Sequence, residues 1–446
     1  MMDLTRGPIR SGLLRFCLPL VAGNLLQQMY NVVDTWVVGR YVGQNALAAV
    51  GGAFSLLVLL SSVVLGLCMG SGVVFSQLFG MEDREGMRRA MGSSLWICAG
   101  ASLALTGLSL CLLPRLLLWM RVPQEVRPGM SGYLMIVLPG ILPTCAYNYL
   151  AAARRSVGDS VTPLAFLAVS AVINMALDVV LVACCGMGVG GAAWATLIAQ
   201  LISALGMLLY CLRSAPELLP ARRHLRPDGA MLRRIASVSA LTSLQQSVMN
   251  LGILMVQSLV NSFGAAVMAG FAVGVKVDAF AYAPAQDFAN GYATFVSQNL
   301  GAGRGDRVRQ GMRDAMMISC VFCAVVSLLV CLFARPLMSL FITPGDADAV
   351  WAGVRYLRIE GMCYVGIGVL FLLYATFRGL ERAGMSLLLT LVSLGLRDAL
   401  AYAFAPVFGT DAIWWSIPIG WLAADVTGLA LLRTRRVRMK TGRKCA

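Results

Sequence analysis

The sequence predicts an all-α polytopic membrane protein of twelve transmembrane helices. They form two homologous six-helix bundles, an N-lobe and a C-lobe, related by a pseudo-two-fold axis along the membrane normal. Three observations predict this: a composition too apolar for a soluble surface, apolar blocks of membrane-crossing length, and a self-similarity at half the chain's length. Of the 446 residues, 59% are hydrophobic and 13% charged, and the mean hydropathy is +0.77. Soluble domains run at roughly 45–50% apolar and about 25% charged, so the excess must face lipid.

The apolar blocks fall near 13–37, 46–78, 91–113, 130–152, 161–184 and 188–211, and again near 235–261, 266–298, 314–334, 354–376, 384–406 and 411–432. Each can cross a hydrocarbon core of roughly 30 Å at about 1.5 Å per helical residue. Helices are the expected form. No backbone polar group can go unpaired in lipid, and the blocks are too long for barrel strands. The basic start (Arg6, Arg10, Arg15) runs into a long span without a small-residue cleavage pattern, so no cleavable signal peptide is expected. No loop is long enough for a soluble domain. The thirteen cysteines, including the C-x-x-C of Cys320 and Cys323, are scattered through the spans and read as small packing residues rather than a disulfide framework or a metal site.

The net charge of +15 is unevenly placed. With loops numbered alternately from the N-terminus, 27 of the 36 Lys and Arg fall on one side and 7 on the other, leaving Lys276 and Arg397 inside spans. The positive-inside rule then puts both termini in the cytoplasm and makes the span count even, in a cell inner membrane. The basic tail next to the last span is read as resting on anionic lipid, not nucleic acid.

The chain repeats itself at an offset near 221. "MGSGVVFSQLFGMEDREGMRRAM" aligns with "NGYATFVSQNLGAGRGDRVRQGM", so that Gly70, Ser76, Gln77 and Gly80 fall on Gly291, Ser297, Gln298 and Gly301. "RVP" at Pro123 echoes "ITP" at Pro344, and "YLMI" at Tyr133 matches "YLRI" at Tyr356 with a two-residue slip. The organisation read from this is an N-lobe at 1–211, a basic linker at 212–234, a C-lobe at 235–432 and a basic tail at 433–446. Six spans per half make the repeats parallel, with a substrate site between or within the bundles and alternating access by rocking.

An ionisable group at mid-membrane costs on the order of 2.5–3.5 kcal/mol, so each one needs a reason. The first span carries Asn24, Gln27, Asn31 and Asp34, a stripe on one helical face that is expected to point into the bundle. Pro19 upstream removes a backbone hydrogen bond and offers a hinge. The fifth span carries Asn174 and Asp178 at i and i+4, and the sixth Thr196. If Asp34, Asn174, Asp178 and Thr196 converge in one N-lobe cavity, the carboxylates can load and release a proton, or bind Na⁺ with amide and hydroxyl help. In the second half, Asp34 falls on Met255, while Gln245, Gln246 and Asn250 keep a polar stripe. Candidate C-lobe charges are Lys276, Asp278, Asp287 and Asp398, with Asp425 in the twelfth span. Lys276 is read as an internal counter-ion, and Arg397 as a neighbour that neutralises Asp398.

The stretch "NLLQQMYNVVDTWVVGRYVGQNALAAVG", the paired "FVSQNLGAGR" and "SQLFG", and "INMALDVVL" followed by "GVGGAAWAT" resemble the MATE (multidrug and toxic compound extrusion) family over essentially the whole chain. The likeness is to its prokaryotic DinF-like branch. It implies an H⁺- or Na⁺-coupled antiporter with an aspartate on the first helix, an Asn and an Asp on the fifth and a Thr on the sixth, here Asp34, Asn174, Asp178 and Thr196. The bending proline of the first helix matches Pro19. Other branches hold Na⁺ with acids on the seventh and tenth helices. This sequence departs from that pattern, with Gln245 and Gln246 on the seventh span and Glu360 expected near the outer end of the tenth.

The expected function is export of amphipathic, cationic small molecules in exchange for H⁺ or Na⁺, without a cofactor, by a monomer in contact with membrane lipids. A rival from the same superfamily is a flippase for lipid-linked precursors, whose cavity is cationic; here in-span acids outnumber in-span bases. An ATP-driven pump lacks its G-x-x-x-x-G-K-[ST] loop. A membrane enzyme would need a positioned nucleophile, base or metal, yet the only histidine, His224, sits in the linker.

Overall fold

A computed structural model of the chain describes residues 2–120, 122–226, 228–342 and 346–433. Pro344 of the repeat match, Arg121 and the basic tail from 434 lie outside the described residues. Among the described residues every regular element is helical. The first half contains α1 (Ile9–Tyr41), α2 (Gln44–Gly80), α3 (Arg84–Trp119), α4 (Arg127–Val137), α5 (Ile141–Ser156), α6 (Val161–Asp178) and α7 (Gly188–Ser214). The second contains α8 (Gly229–Asn261), α9 (Ala265–Gly301), α10 (Gly305–Ser339), α11 (Ala347–Gly361), α12 (Tyr364–Gly379), α13 (Ala383–Phe408) and α14 (Thr410–Arg433).

The repeat read from the sequence is visible in the backbone. α2 and α9 begin and end 221 residues apart, and each follows a glycine with positive φ, Gly43 at 108° and Gly264 at 96°. That left-handed conformation is one a side chain would strain. The turns after these helices match as well: Glu82 has φ 57° and Gly303 φ 69°. Ser76 donates to the Gly72 carbonyl at 2.7 Å, and Ser297 donates to the Ala293 carbonyl at 2.9 Å, at the same offset. α4 and α5 are joined by a tight turn at Leu138–Gly140, where α11 and α12 meet at a break bent by 54°.

Among the described residues ten spans are long and apolar enough to cross a membrane, α4–α5 and α6 with its extension counting as one each; the bent pair α11–α12 makes an eleventh. α8, expected as the seventh span, has the length (33 residues) but less apolar surface, because Gln245, Gln246, Asn250 and Gln257 lie along it. Elsewhere the lipid-facing pattern is plain. On α10, Val321, Val325, Leu328 and Leu332 are each more than half exposed, while Ser319, Cys323, Val330 and Ala334 are buried. This is one apolar stripe outward and one small-residue stripe inward.

Contacts gather the chain into two compact units, one holding Ala22–Gln246 and the other Leu4–Val21 with the chain from Ser247 on. α1 therefore divides at Val21 and α8 at Gln246. In the first unit α2 packs on α3, α4 and α5, and α6 packs on α7. Gly66 and Gly70 let α8 approach: a Cβ on Gly66 would stand 2.3 Å from Ser243 Cα, and one on Gly70 2.5 Å from Ser239 Cα. The close backbones are sewn by serines, with Ser243 donating to the Val63 carbonyl and Ser239 to the Leu67 carbonyl, both at 3.0 Å. In the second unit α9 packs on α10, α11 and α12, and α13 packs on α14. There the N-terminal strap is held by Leu4, whose N–H donates to Gln298 Oε1 at 3.2 Å, and by Arg10, which pairs with Asp314 at 2.8 Å.

Outside the spans, the turn into α6 is built on Asp159. It accepts from the Thr162 N–H at 3.0 Å, the Thr162 hydroxyl at 2.7 Å and Arg154 Nε at 3.0 Å. Partial burial opposes its ionisation, but these donors prevail and hold Asp159 below the usual carboxylate range.

Candidate functional site

On α6 the buried positions Ala171, Asn174, Asp178 and then Val182 recur at helical spacing, so the polar pair shares the inward face with small apolar neighbours. Directly after Asp178 the helix widens into a π-helical turn over Val179–Cys184, an irregularity frequent at functional sites. Asp178 is 0% exposed and Asn174 3%. Neither carboxylate oxygen of Asp178 and neither polar atom of Asn174 has a hydrogen-bond partner. Native interiors pair the great majority of such atoms, so four orphans on adjacent turns make this pair the candidate site of the first unit.

Asp34 of α1 faces this pair. Its Oδ1 is buried without a partner, and the Asp34 and Asp178 carboxylates act on each other electrostatically. Two tyrosines that sequence reasoning did not select complete the group. Tyr30 and Tyr133 both feel Asp34 and Asp178; the Tyr30 hydroxyl meets Gln27, and the Tyr133 hydroxyl meets Thr196. The signal for Tyr30 was its place one turn before Asp34. Tyr133 appeared in the sequence only as a repeat marker. Pro19 lies inside an α1 that continues unbroken past it.

The expected inward stripe is only partly enclosed. Asn24, Asn31 and Asp34 are half-buried and Gln27 is exposed. Gln245 of α8 is buried with its Oε1 unpaired, while Gln246 and Asn250 are half-buried.

The second unit gathers a different set. On α9, Gly270, Gly274 and Asp278 follow one face, and the two glycines make room for α11: a Cβ on Gly274 would stand 2.5 Å from the Tyr356 ring. That approach carries the Tyr356 hydroxyl to Asp278, which also accepts from the Tyr364 hydroxyl. Phe271, Tyr356 and Trp414 pack ring on ring behind it, with centroids 5.0–5.4 Å apart. Glu360 joins Asp278. The sequence placed Glu360 near the outer end of the tenth span. The structure corrects this: α11 starts earlier than expected, so Glu360 sits one residue before its end at the bend, 4% exposed.

The sequence offers Lys276 as an internal counter-ion. It is exposed and forms no ion pair among the described residues, since it lies off the Gly270–Gly274–Asp278 face. The cation near the C-lobe acids is Arg397, which acts on Glu360 and pairs with Asp398 at 3.2 Å. Asp287 lies beside Cys17, away from that cluster. Asp425 of α14 is buried, with Oδ1 unpaired.

Comparison with known proteins accords with this geometry. A family model described as MatE matches residues 19–180 and 239–403. The probable multidrug resistance protein YpnP of Bacillus subtilis is 29% identical over 96% of this chain and 93% of its own length. An FAD transporter of Shewanella oneidensis is 24% identical over 88% and 87% of the two chains. Among solved structures, an outward-facing multidrug resistance MATE family transporter of the MOP superfamily superposes with a TM-score of 0.92 at 23% identity, covering 98% of each chain. These relatives are named as transporters or resistance proteins, not as enzymes. A duplicated helical architecture, a buried polar centre in each unit and a family model matching both halves lead to one conclusion: the chain belongs to the MatE family.

Proposed function

We propose that this protein is a secondary antiporter of the cytoplasmic membrane that exports amphipathic cations in exchange for protons. Asp34, Asn174, Asp178 and Thr196 form the coupling site. The observation that carries the reading is the fully enclosed Asn174–Asp178 pair, whose four polar atoms all lack partners. A group left so costs about 1–3 kcal/mol per unmet polar atom, a cost offset when a proton or cation arrives.

A proton entering from outside reaches Asp34 and Asp178, α1 bends at Pro19, and the reshaped cavity releases cargo outward. The two lobes, 1–211 and 235–432, rock about the linker 212–234, with both termini cytoplasmic as the 27-to-7 charge division requires. Buried acids favour a cationic cargo over an anion such as the one named for the Shewanella relative. The DinF-like assignment stands on the sequence motifs alone. Na⁺ is the second reading, favoured by the unpaired Asn174 Oδ1, an oxygen that a proton does not need.

The test is efflux of a cationic dye from proteoliposomes under an imposed pH gradient or Na⁺ gradient, comparing wild type with Asp34→Asn. Transport driven by the pH gradient and lost in the variant supports the proton site. Transport driven only by Na⁺ changes the ion. Efflux indifferent to the substitution removes Asp34 from the mechanism, and no efflux under either gradient favours the lipid-precursor flippase.

A further inference from the structure

The cysteines, read in the sequence as scattered packing residues, are not scattered in space. Cys68 of α2, Cys98 of α3 and Cys145 of α5 come together inside the first unit, and their three Sγ atoms all lie within 4.8 Å of one another. Each is buried, at 1%, 2% and 3% exposure, and each is a free thiol. The convergence follows from how the helices pack. Gly72 of α2 would place a Cβ 3.3 Å from Ala152 Cβ on α5, so these helices pack closely one turn from Cys68. Tyr149 donates to the Met91 carbonyl at 2.8 Å and ties α5 to α3.

We propose that these three thiols form a binding site for a soft monovalent metal ion, Cu(I) or its analogue Ag(I), separate from the coupling site. Ligand type, ligand number and charge each point there. Sulfur donors select soft ions. Three sulfurs bonded at about 2.3 Å in a plane would stand about 4 Å apart, so the site closes with side-chain movements of less than an ångström. A structural zinc site needs a fourth protein ligand, and among the described residues none joins this cluster.

Around the thiols stand the hydroxyls of Ser71, Ser94 and Ser102, with Ser94 Oγ 3.8 Å from Cys98 Sγ, the Tyr149 side chain, and two backbone carbonyls: Cys68 Sγ donates to that of Cys145 at 3.9 Å and Cys145 Sγ to that of Cys98 at 3.5 Å. Among the described residues no carboxylate or cation is named as acting on them, so the site must stay neutral to remain buried. A monovalent ion meets that condition. One S–H bond breaks and its proton leaves to solvent; that thiolate and a lone pair from each of the other two thiols, which keep their protons, form the three sulfur–metal bonds. No electron is transferred. Once bound, the ion ties α2, α3 and α5 at one point.

The experiment titrates the purified full-length protein in detergent, without oxygen, with Cu(I) supplied as its acetonitrile salt against a chromophoric Cu(I) chelator. Wild type should retain one equivalent and release one proton per ion. Cys98→Ser and Cys145→Ser should each lose that equivalent, whereas the Cys320→Ser/Cys323→Ser variant keeps it. Equal retention in Cys98→Ser and wild type, or loss in the Cys320→Ser/Cys323→Ser variant, would assign the ion to other thiols and overturn the proposal. So would retention of no copper by wild type, or a disulfide between two of the three cysteines in the reduced preparation. X-ray absorption at the copper edge of wild type needs no variant: three sulfurs at about 2.3 Å support the site, and a two-sulfur or oxygen shell overturns it.

Discussion

Replacing Asp178 with asparagine separates coupling from folding, because the side chain keeps its volume and loses only its exchangeable proton. Asp178 is fully enclosed and both its oxygens lack partners, so the substitution breaks no hydrogen bond within the protein. An unmet buried amide costs about 1–3 kcal/mol, the same range as the unmet acid it replaces. The melting temperature should therefore barely move. Transport should change completely. One pH unit is worth 1.36 kcal/mol per proton, about a tenfold ratio. Asp34 and Asp178 act on each other electrostatically, and under the proposed proton coupling such a pair is expected to share one proton. Exchange of one monovalent cation for that proton then sustains about a tenfold dye gradient per pH unit, insensitive to membrane potential because no net charge crosses.

In proteoliposomes with a pH difference of about one unit, Asp178→Asn should collapse the dye ratio to about one. Dye-for-dye counterflow, which needs no proton, should persist in the variant and certify that it is folded and binds cargo. A variant that keeps the tenfold ratio would refute the role of Asp178. A wild-type ratio near a hundred would refute the single shared proton. Loss of counterflow together with coupling would make Asp178 a cargo or packing residue instead.

Four further outcomes follow from the packing. Tyr364→Phe removes one of two hydroxyl donors to buried Asp278 and should cost about 1.5–3 kcal/mol, the range for a hydrogen bond to a charged group, read as a lowered melting temperature in detergent. Gly70→Ala forces a Cβ to within 2.5 Å of Ser239 Cα and should destabilise by about 1–3 kcal/mol as an overpacked contact. Gly100→Ala, with nothing within 4 Å, should be neutral or stabilise by about 0.5–1 kcal/mol; both are read by thermal unfolding. Asp159→Asn should destabilise at neutral pH and progressively less in acid. The Asp159 carboxyl is held below its ordinary range, so its contribution is present above an unfolded value of about 3.9 and is lost as pH falls through the lower folded value. Melting curves of both proteins from neutral to acid pH should converge.

The fold was legible because lipid imposes a simple code, an apolar block per span, and because duplication wrote that code twice. Ten of the twelve expected blocks fall within single helical runs, those at 130–152 and 354–376 running across the Leu138–Gly140 turn and the α11–α12 bend, and the offset near 221 reappears in the ends of α2 and α9 and in the positive φ of Gly43 and Gly264. α8 fits that code least well, since its glutamines and Asn250 occupy positions an ordinary span gives to Leu or Val. Of the site, Asp34, Asn174 and Asp178 were legible as acids and amides at helical spacing where lipid penalises them. Tyr30, Tyr133 and the three cysteines were not. Each belongs to a residue type that membrane spans tolerate singly, and only convergence from separate helices gives it a role. The break that brings Glu360 to mid-span was hidden too, because Gly361 and Cys363 carry no stop signal strong enough to announce a bend.

The two halves also show what duplication preserves. Backbone features recur at the repeat offset: glycine turns, serine back-bonds and breaks in matching helices. The buried acids do not. At that offset Asp34 matches Met255, while Asp278 matches Leu57 and Glu360 matches Pro139. The first unit sets its carboxylates on α1 and α6 and leaves four polar atoms of Asn174 and Asp178 open. The second sets its own on α9 and α11 and ties Asp278 down with two tyrosine hydroxyls. Open acids suit a site that loads and unloads. A carboxylate already satisfied by fixed donors has less to gain from an arriving ion, because hydrogen bonds to the charged form stabilise it in place. The contrast is one of degree, since Glu360 and Asp425 of the second unit each keep an unpaired oxygen too; the two wholly open side chains on adjacent turns of α6 are what make the first unit the place where we propose ion exchange.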